Sequence, residues 1–200
     1  MIDINLIDVV IDLATRFWQF TVLGILIIIG FAINLSDKLL KGNKVDFSYT
    51  EYPLMQPIRI ATKDKGFWGA ILLWLLGVRT WTIAKDFHYK LKGVNYVIPR
   101  GFTFDGASVP KFLASFLSPV GVLLIGGLIH DYAYKYAALK PSNKKDALLL
   151  LNQKESDQIF RDINIEVNGF NFLNYLAYWA LRIGGFVAWN GHRKVNAKIK

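Results

Sequence analysis

Phe17–Leu35 reads FWQFTVLGILIIIGFAINL. The stretch carries no charged side chain, and its length matches the roughly 20 apolar residues that cross a bilayer. On this reading the chain is a membrane anchor carrying a domain. The expected fold class is α+β: an N-terminal transmembrane helix, then a small domain with a short antiparallel sheet and three to four helices. The expected location is a membrane, reached by a single-pass N-terminal anchor. Asp3, Asp8 and Asp12 against Arg16 make the stretch ahead of the run acidic, and no small-x-small cleavage site follows it. A cleaved signal peptide is therefore not expected. Lys38, Lys41 and Lys44 behind the run assign the domain to the cytoplasmic side by the positive-inside rule.

Working outward, Ile2, Leu6, Val9, Val10 and Leu13 fall on one stripe at helical spacing, so residues 1–35 read as an amphipathic helix plus the span. Residues 36–79 read as a linker, with a short extended piece within Ser36–Met55, ending in an apolar segment. That segment, Lys63–Arg79 (KDKGFWGAILLWLLGVR), has a core from Gly66 to Gly77 that is too short to span. Its flanking cations, with Trp68 and Trp74, suit a helix or hairpin at the headgroup level, and the alternative is a buried strand or helix of the domain. Thr80–Phe104 alternates β-branched or aromatic residues with polar ones around turns at Lys92-Gly93 and Arg100-Gly101, a strand pattern. Helices are predicted over Leu123–Ala138, Gln153–Val167 and Asn171–Ala188. Asn152 and Glu155 form a capping-box signature for the second. Residues 80–190 are thus the α+β domain, and 191–200 a basic tail that frays.

The 200 residues include no cysteine, which excludes disulfides and cysteine-ligated metal centres. His88, His130 and His192 are the whole histidine complement, too few for a histidine-rich metal site. The net charge is +9, and the chain after Leu35 holds 23 basic against 12 acidic residues. The expected partners are a lipid bilayer and its anionic headgroups, with nucleic acid the weaker competitor.

Three clusters could carry chemistry. In Gly101–Pro110 (GFTFDGASVP), Asp105 sits at a strand-to-helix switch and Ser108 can cap the helix. Both could equally do no more than satisfy backbone N–H groups. In Ile129–Tyr136 (IHDYAYKY), Gly126, Gly127, His130 and Tyr134 share a helical face, and the glycines let another backbone come close. Asp131 and Lys135 are one turn apart, the spacing of an exposed ion pair. In Glu155–Arg161 (ESDQIFR), Asp157 and Arg161 repeat that spacing on an amphipathic helix.

Taken together, these clusters resemble the domain of unknown function 1353 family of phages and prophages. The residues are Gly101-Phe102, Asp105, Ala107-Ser108-Val109-Pro110, His130-Asp131 with Tyr134, Ser156-Asp157 with Phe160, and Tyr178 through Arg182 to Gly185 and Trp189. The likeness covers about Trp81 to Trp189. Phe104 and Ser156 depart from the family's threonine and alanine, and neither change removes an ionisable group. The resemblance implies a phage origin and a small α+β domain, with Asp105, Ser108, His130, Asp131 and Asp157 as a set. Such a set builds either a site for one divalent metal, held by His130, Asp105 and Asp131, or a buried polar network. No other cofactor is expected. A histidine–aspartate phosphohydrolase is excluded because His88, the only earlier histidine, lies in strand-like sequence. Ser108 lacks the glycine-flanked elbow of a serine hydrolase.

Two functions are expected of this combination. One is a structural or accessory component of a virion lipid membrane or of the host inner membrane during infection, beside other phage membrane or capsid proteins. The other is a membrane-tethered, metal-assisted or His/Asp-dependent hydrolase acting on lipid headgroups or cell-wall material. The second requires the carboxylates and His130 to converge at an open site.

Overall fold

A computed structural model describes residues 7, 15–39, 44–76, 80–105, 121–143 and 148–196. The chain divides into two compact units, 1–43 and 44–200. In the first unit the apolar run forms helix α1, Trp18–Leu39. Among the described residues no helix is long and apolar enough to cross a membrane. This overturns the transmembrane helix expected at Phe17–Leu35, and with it the single-pass location and the cytoplasmic side. Length supplies a physical reason. Gln19 and Asn34 bracket a largely apolar stretch of 14 residues, which covers about 21 Å of helix against about 30 Å of hydrocarbon. The amphipathic stripe Ile2–Leu13 lies outside the described residues.

The second unit is a mixture of short sheets and helices. Strands β1 (Phe47–Tyr49), β2 (Met55–Pro57), β3 (Trp81–Ile83), β4 (Phe87–Leu91), β5 (Val94–Ile98) and β6 (Thr103–Phe104) form two antiparallel sheets, ordered β1-β4-β5 and β2-β3-β6. The apolar segment 66–76 between β2 and β3 is a helix, α2 (Gly66–Leu76). The β4–β5 hairpin closes through Lys92 and Gly93, both at positive φ, with Leu91 paired to Val94. A two-residue loop of that geometry matches strand twist, and glycine takes its second position without strain. Strand β4 alternates cleanly: Phe87, Tyr89 and Leu91 point inward, His88 and Lys90 outward.

Among the described residues three helices follow: α3 (Leu124–Tyr136), α4 (Gln153–Asn168) and α5 (Asn171–Asn196). Between the first two runs the small pair β7 (Ala138–Leu139) and β8 (Leu149–Leu150). The inner sheet residues, among them Phe87, Tyr89, Ile98, Phe102 and Phe104, pack on Ile125, Leu128, Ile129, Tyr132 and Ala133 of α3. Helix α4 starts at the predicted box, with Asn152 Oδ1 accepting from Glu155 N at 2.9 Å and Glu155 Oε2 from Asn152 N at 2.8 Å. Helix α5 runs to Asn196, well past the predicted end at Ala188. Its last turns are held in place: Arg193 donates to the carbonyls of Tyr134 and Lys135 and lies over the Trp189 ring. Those carbonyls are the acceptors a helix end leaves without intrahelical partners.

Candidate functional site

The site grows from the packing of α3, α4 and α5. Gly126 of α3 faces Asn164 of α4 so closely that a methyl group would collide with the Asn164 amide. Instead, the Gly126 N–H donates to Asn164 Oδ1 at 3.2 Å. One turn on, His130 is buried between the helices, edge-on to Phe160 of α4. Gly185 plays the matching part on α5, since a side chain there would strike the Tyr134 hydroxyl. Close approach at these glycines brings polar groups from three helices to one point.

That point is Asp157, with no exposed surface. Its Oδ1 accepts from the Tyr134 hydroxyl at 2.6 Å and lies 3.0 Å from His130 Nε2. Its Oδ2 accepts from Arg182 Nη1 at 2.7 Å. Burial alone would raise its pKa, but the bonds from His130, Tyr134 and Arg182 hold it below the ordinary carboxylate range. Asp157 is thus ionised, which fixes the proton on His130 Nε2 and turns Nδ1 toward Asp131. Gln153 Nε2 donates to the Tyr134 hydroxyl at 3.3 Å, and burial beside the Asp157 charge raises the pKa of that phenol.

Asp131 is the outer member. Its Oδ1 lies 3.7 Å from His130 Nδ1, an ion-pair contact too long for a hydrogen bond. Among the described residues, His130 Nδ1 and Asp131 Oδ2 have no hydrogen-bond partner. The Asp131 side chain is 14% exposed, while that of Asp157 is sealed. Burial first, and the neighbouring Asp105 charge as well, push its pKa up to about 6, against the opposing pull of His130. For His130, burial works downward, but Asp131 and Asp157 outweigh it and raise the pKa. Asp105, just after β6, is half-buried and also acts on His192 of α5. The His192 pKa is lowered by burial and by the charges of Arg193 and Lys135.

Of the sequence-predicted residues, His130, Asp131 and Asp157 are brought into one chain of contacts, and Asp105 acts electrostatically on Asp131. Ser108 lies outside the described residues, as does the rest of the segment from Gly106 to Pro110. Among the described residues no three His, Asp or Glu side chains assemble as a metal-holding group. Tyr134 and Arg182 were not assigned a role by sequence, yet they complete the shell around Asp157. Arg182 carried a usable signal: it is the only charge between Asn171 and Gly191, in an otherwise uncharged helical run. An isolated cation on such a helix is a candidate partner for a carboxylate buried on a neighbouring helix.

A family model described as "Protein of unknown function (DUF1353)" matches residues 81–181. The match begins at Trp81, where the motif resemblance began, and stops one residue short of Arg182. Nothing matches among curated proteins, and nothing among solved structures.

Proposed function

The chain belongs to the DUF1353 family, proteins of unknown function, and from that premise we propose that the domain is a His/Asp-dependent hydrolase working by acid–base catalysis at Asp131. The observation that carries this reading is the contact of partly exposed Asp131 with sealed His130, itself bonded to Asp157. A carboxyl group with a pKa of about 6 is a poised base at neutral pH. Asp131 takes a proton from water as the water oxygen adds to an acyl or phosphoryl centre. The proton then passes to the leaving group as the old bond breaks. His130 is a positioning residue, fixed by Asp157 in the tautomer that presents Nδ1 to Asp131. The substrate class is an ester, amide or phosphodiester.

The test uses p-nitrophenyl acetate, alanine p-nitroanilide and bis(p-nitrophenyl) phosphate as probes. Turnover of at least one is expected, with a rate inflection near pH 6. Asp131→Asn should lower the rate by about 10²–10⁴ at unchanged circular dichroism. No turnover of any probe between pH 5 and 9, or an unaffected Asp131→Asn rate, overturns the proposal.

A second reading is favoured by one fact: both oxygens of Asp157 are taken from within, and it has no exposed surface. The network is then a clamp on three helices, and the protein is a structural or accessory component of a phage particle or infected cell. Under this reading Asp131→Asn leaves the biological effect intact, and Asp157→Asn acts through folding alone.

A further inference from the structure

Helix α5 turns one side to α3 and α4 and the other to solvent. Asn174, Ala177, Tyr178 and Gly185 are buried on the inner side. Tyr175, Leu176, Trp179, Ile183, Phe186 and Val187 lie on the outer side, between 42% and 76% exposed. At about 100° per residue these six fall within an arc of about 120°, one continuous apolar stripe. Isolated exposed apolar residues are ordinary, but a contiguous aromatic and aliphatic stripe marks an interaction surface.

The charges on α5 decide what it meets. The helix contains no acidic residue from Asn171 to Asn196, and Arg193 and Lys194 occupy its last turn. On the same helical wheel exposed Lys194 continues the apolar arc, while Arg193 is committed to the Tyr134 and Lys135 carbonyls. Lys135 contributes a further positive charge nearby, since it acts with Arg193 on His192. A second copy packed parallel would bring like charges together, and one packed antiparallel would offer Lys194 no acidic residue of α5 as a partner. An anionic surface with an apolar interior satisfies both halves of the stripe at once. Aromatic residues such as Trp179 and Tyr175 suit the boundary between headgroup and hydrocarbon.

We propose that the outer face of α5 docks on an anionic phospholipid surface, with Trp179, Ile183 and Phe186 buried among the lipids and Lys194 on the headgroups. The helix lies on the surface and spans nothing. The inference is independent of the chemistry assigned to Asp131.

The test is flotation of the full chain with vesicles of phosphatidylcholine alone and of phosphatidylcholine with phosphatidylglycerol. Wild type should float with the anionic vesicles and be weakened by high salt, which screens the headgroup attraction. Trp179→Glu combined with Ile183→Glu should weaken that binding at least tenfold while circular dichroism and Tm stay unchanged, because both positions are exposed. Asp131→Asn should bind as wild type does. Failure to float, a double variant that binds within tenfold of wild type, or a double variant that only dissolves an oligomer overturns the proposal.

Discussion

Asp157 is sealed from solvent, and three donors from two other helices, α3 and α5, occupy its oxygens. Removing its charge strands the Arg182 guanidinium and the His130 N–H at once. Asp157→Asn is expected to destabilise the domain by about 3–5 kcal/mol, the range for breaking one side of a buried pair. Urea unfolding measures it, and adding Arg182→Met to the variant should recover part of the loss. A change below about 1 kcal/mol would mean the clamp is not holding the helices. Sequence spacing pairs Asp157 with Arg161, one turn on, and this pairing does not form. Arg161 instead holds Asp162 at 2.6 Å, and Asp157 holds Arg182 from another helix at 2.7 Å. The i,i+4 rule describes neighbours on a solvated helix face. Asp157 is on the inner face, where its partner comes from tertiary packing.

At the level of elements, features governed by local chemistry were legible. The Lys92-Gly93 hairpin and the Asn152/Glu155 capping box stand where the sequence puts them, since each depends on a few adjacent residues. Strand β1 was legible only as a short extended piece within Ser36–Met55, and the pairings of β1 and β2 were not legible. Each is three residues long, with a partner more than 20 positions away, β4 and β3 respectively. The end of α5 was also misread, because its basic last turn is fixed by contacts with α3 that composition does not reveal. Of the α3 glycines, Gly126 is a place of close approach, but to the Asn164 side chain rather than to the other backbone expected: no space remains for a Cβ beside it. Gly126→Ala should force α3 and α4 apart and lose about 1–3 kcal/mol, despite the gain in helix propensity. Gly184→Ala, with open space around its Cβ position, is the matched control and should be neutral or slightly stabilising. Equal thermal shifts for the two variants would contradict the close contact.

For the whole molecule, the apolar run Phe17–Leu35 showed the limit of hydropathy, which registers that a segment is apolar but not what length of it counts as a span. Charge in the core is more informative, because it ties global stability to pH. Asp157 has a folded pKa below its unfolded one, so its contribution is present above about pH 4 and lost as pH falls through the folded value. His130 is raised, so its contribution is present below about pH 6.5 and lost as pH rises through the folded value. Asp131 is raised from 3.8 to about 6, so its contribution is full below about pH 4 and lost by about pH 6. That last difference corresponds to about 3 kcal/mol. The three together put the stability maximum near pH 4, on the acid side of the usual range between about pH 5 and 8. Urea unfolding from pH 3 to 9 should show stability falling between pH 4 and 6 in wild type. In Asp131→Asn this limb should be nearly flat, leaving the variant more stable than wild type at pH 7. A residue whose removal stabilises the fold at neutral pH is held there for something other than packing. A wild-type profile already flat from pH 4 to 7 would remove the raised pKa of Asp131, and with it the base on which the proposed hydrolysis depends.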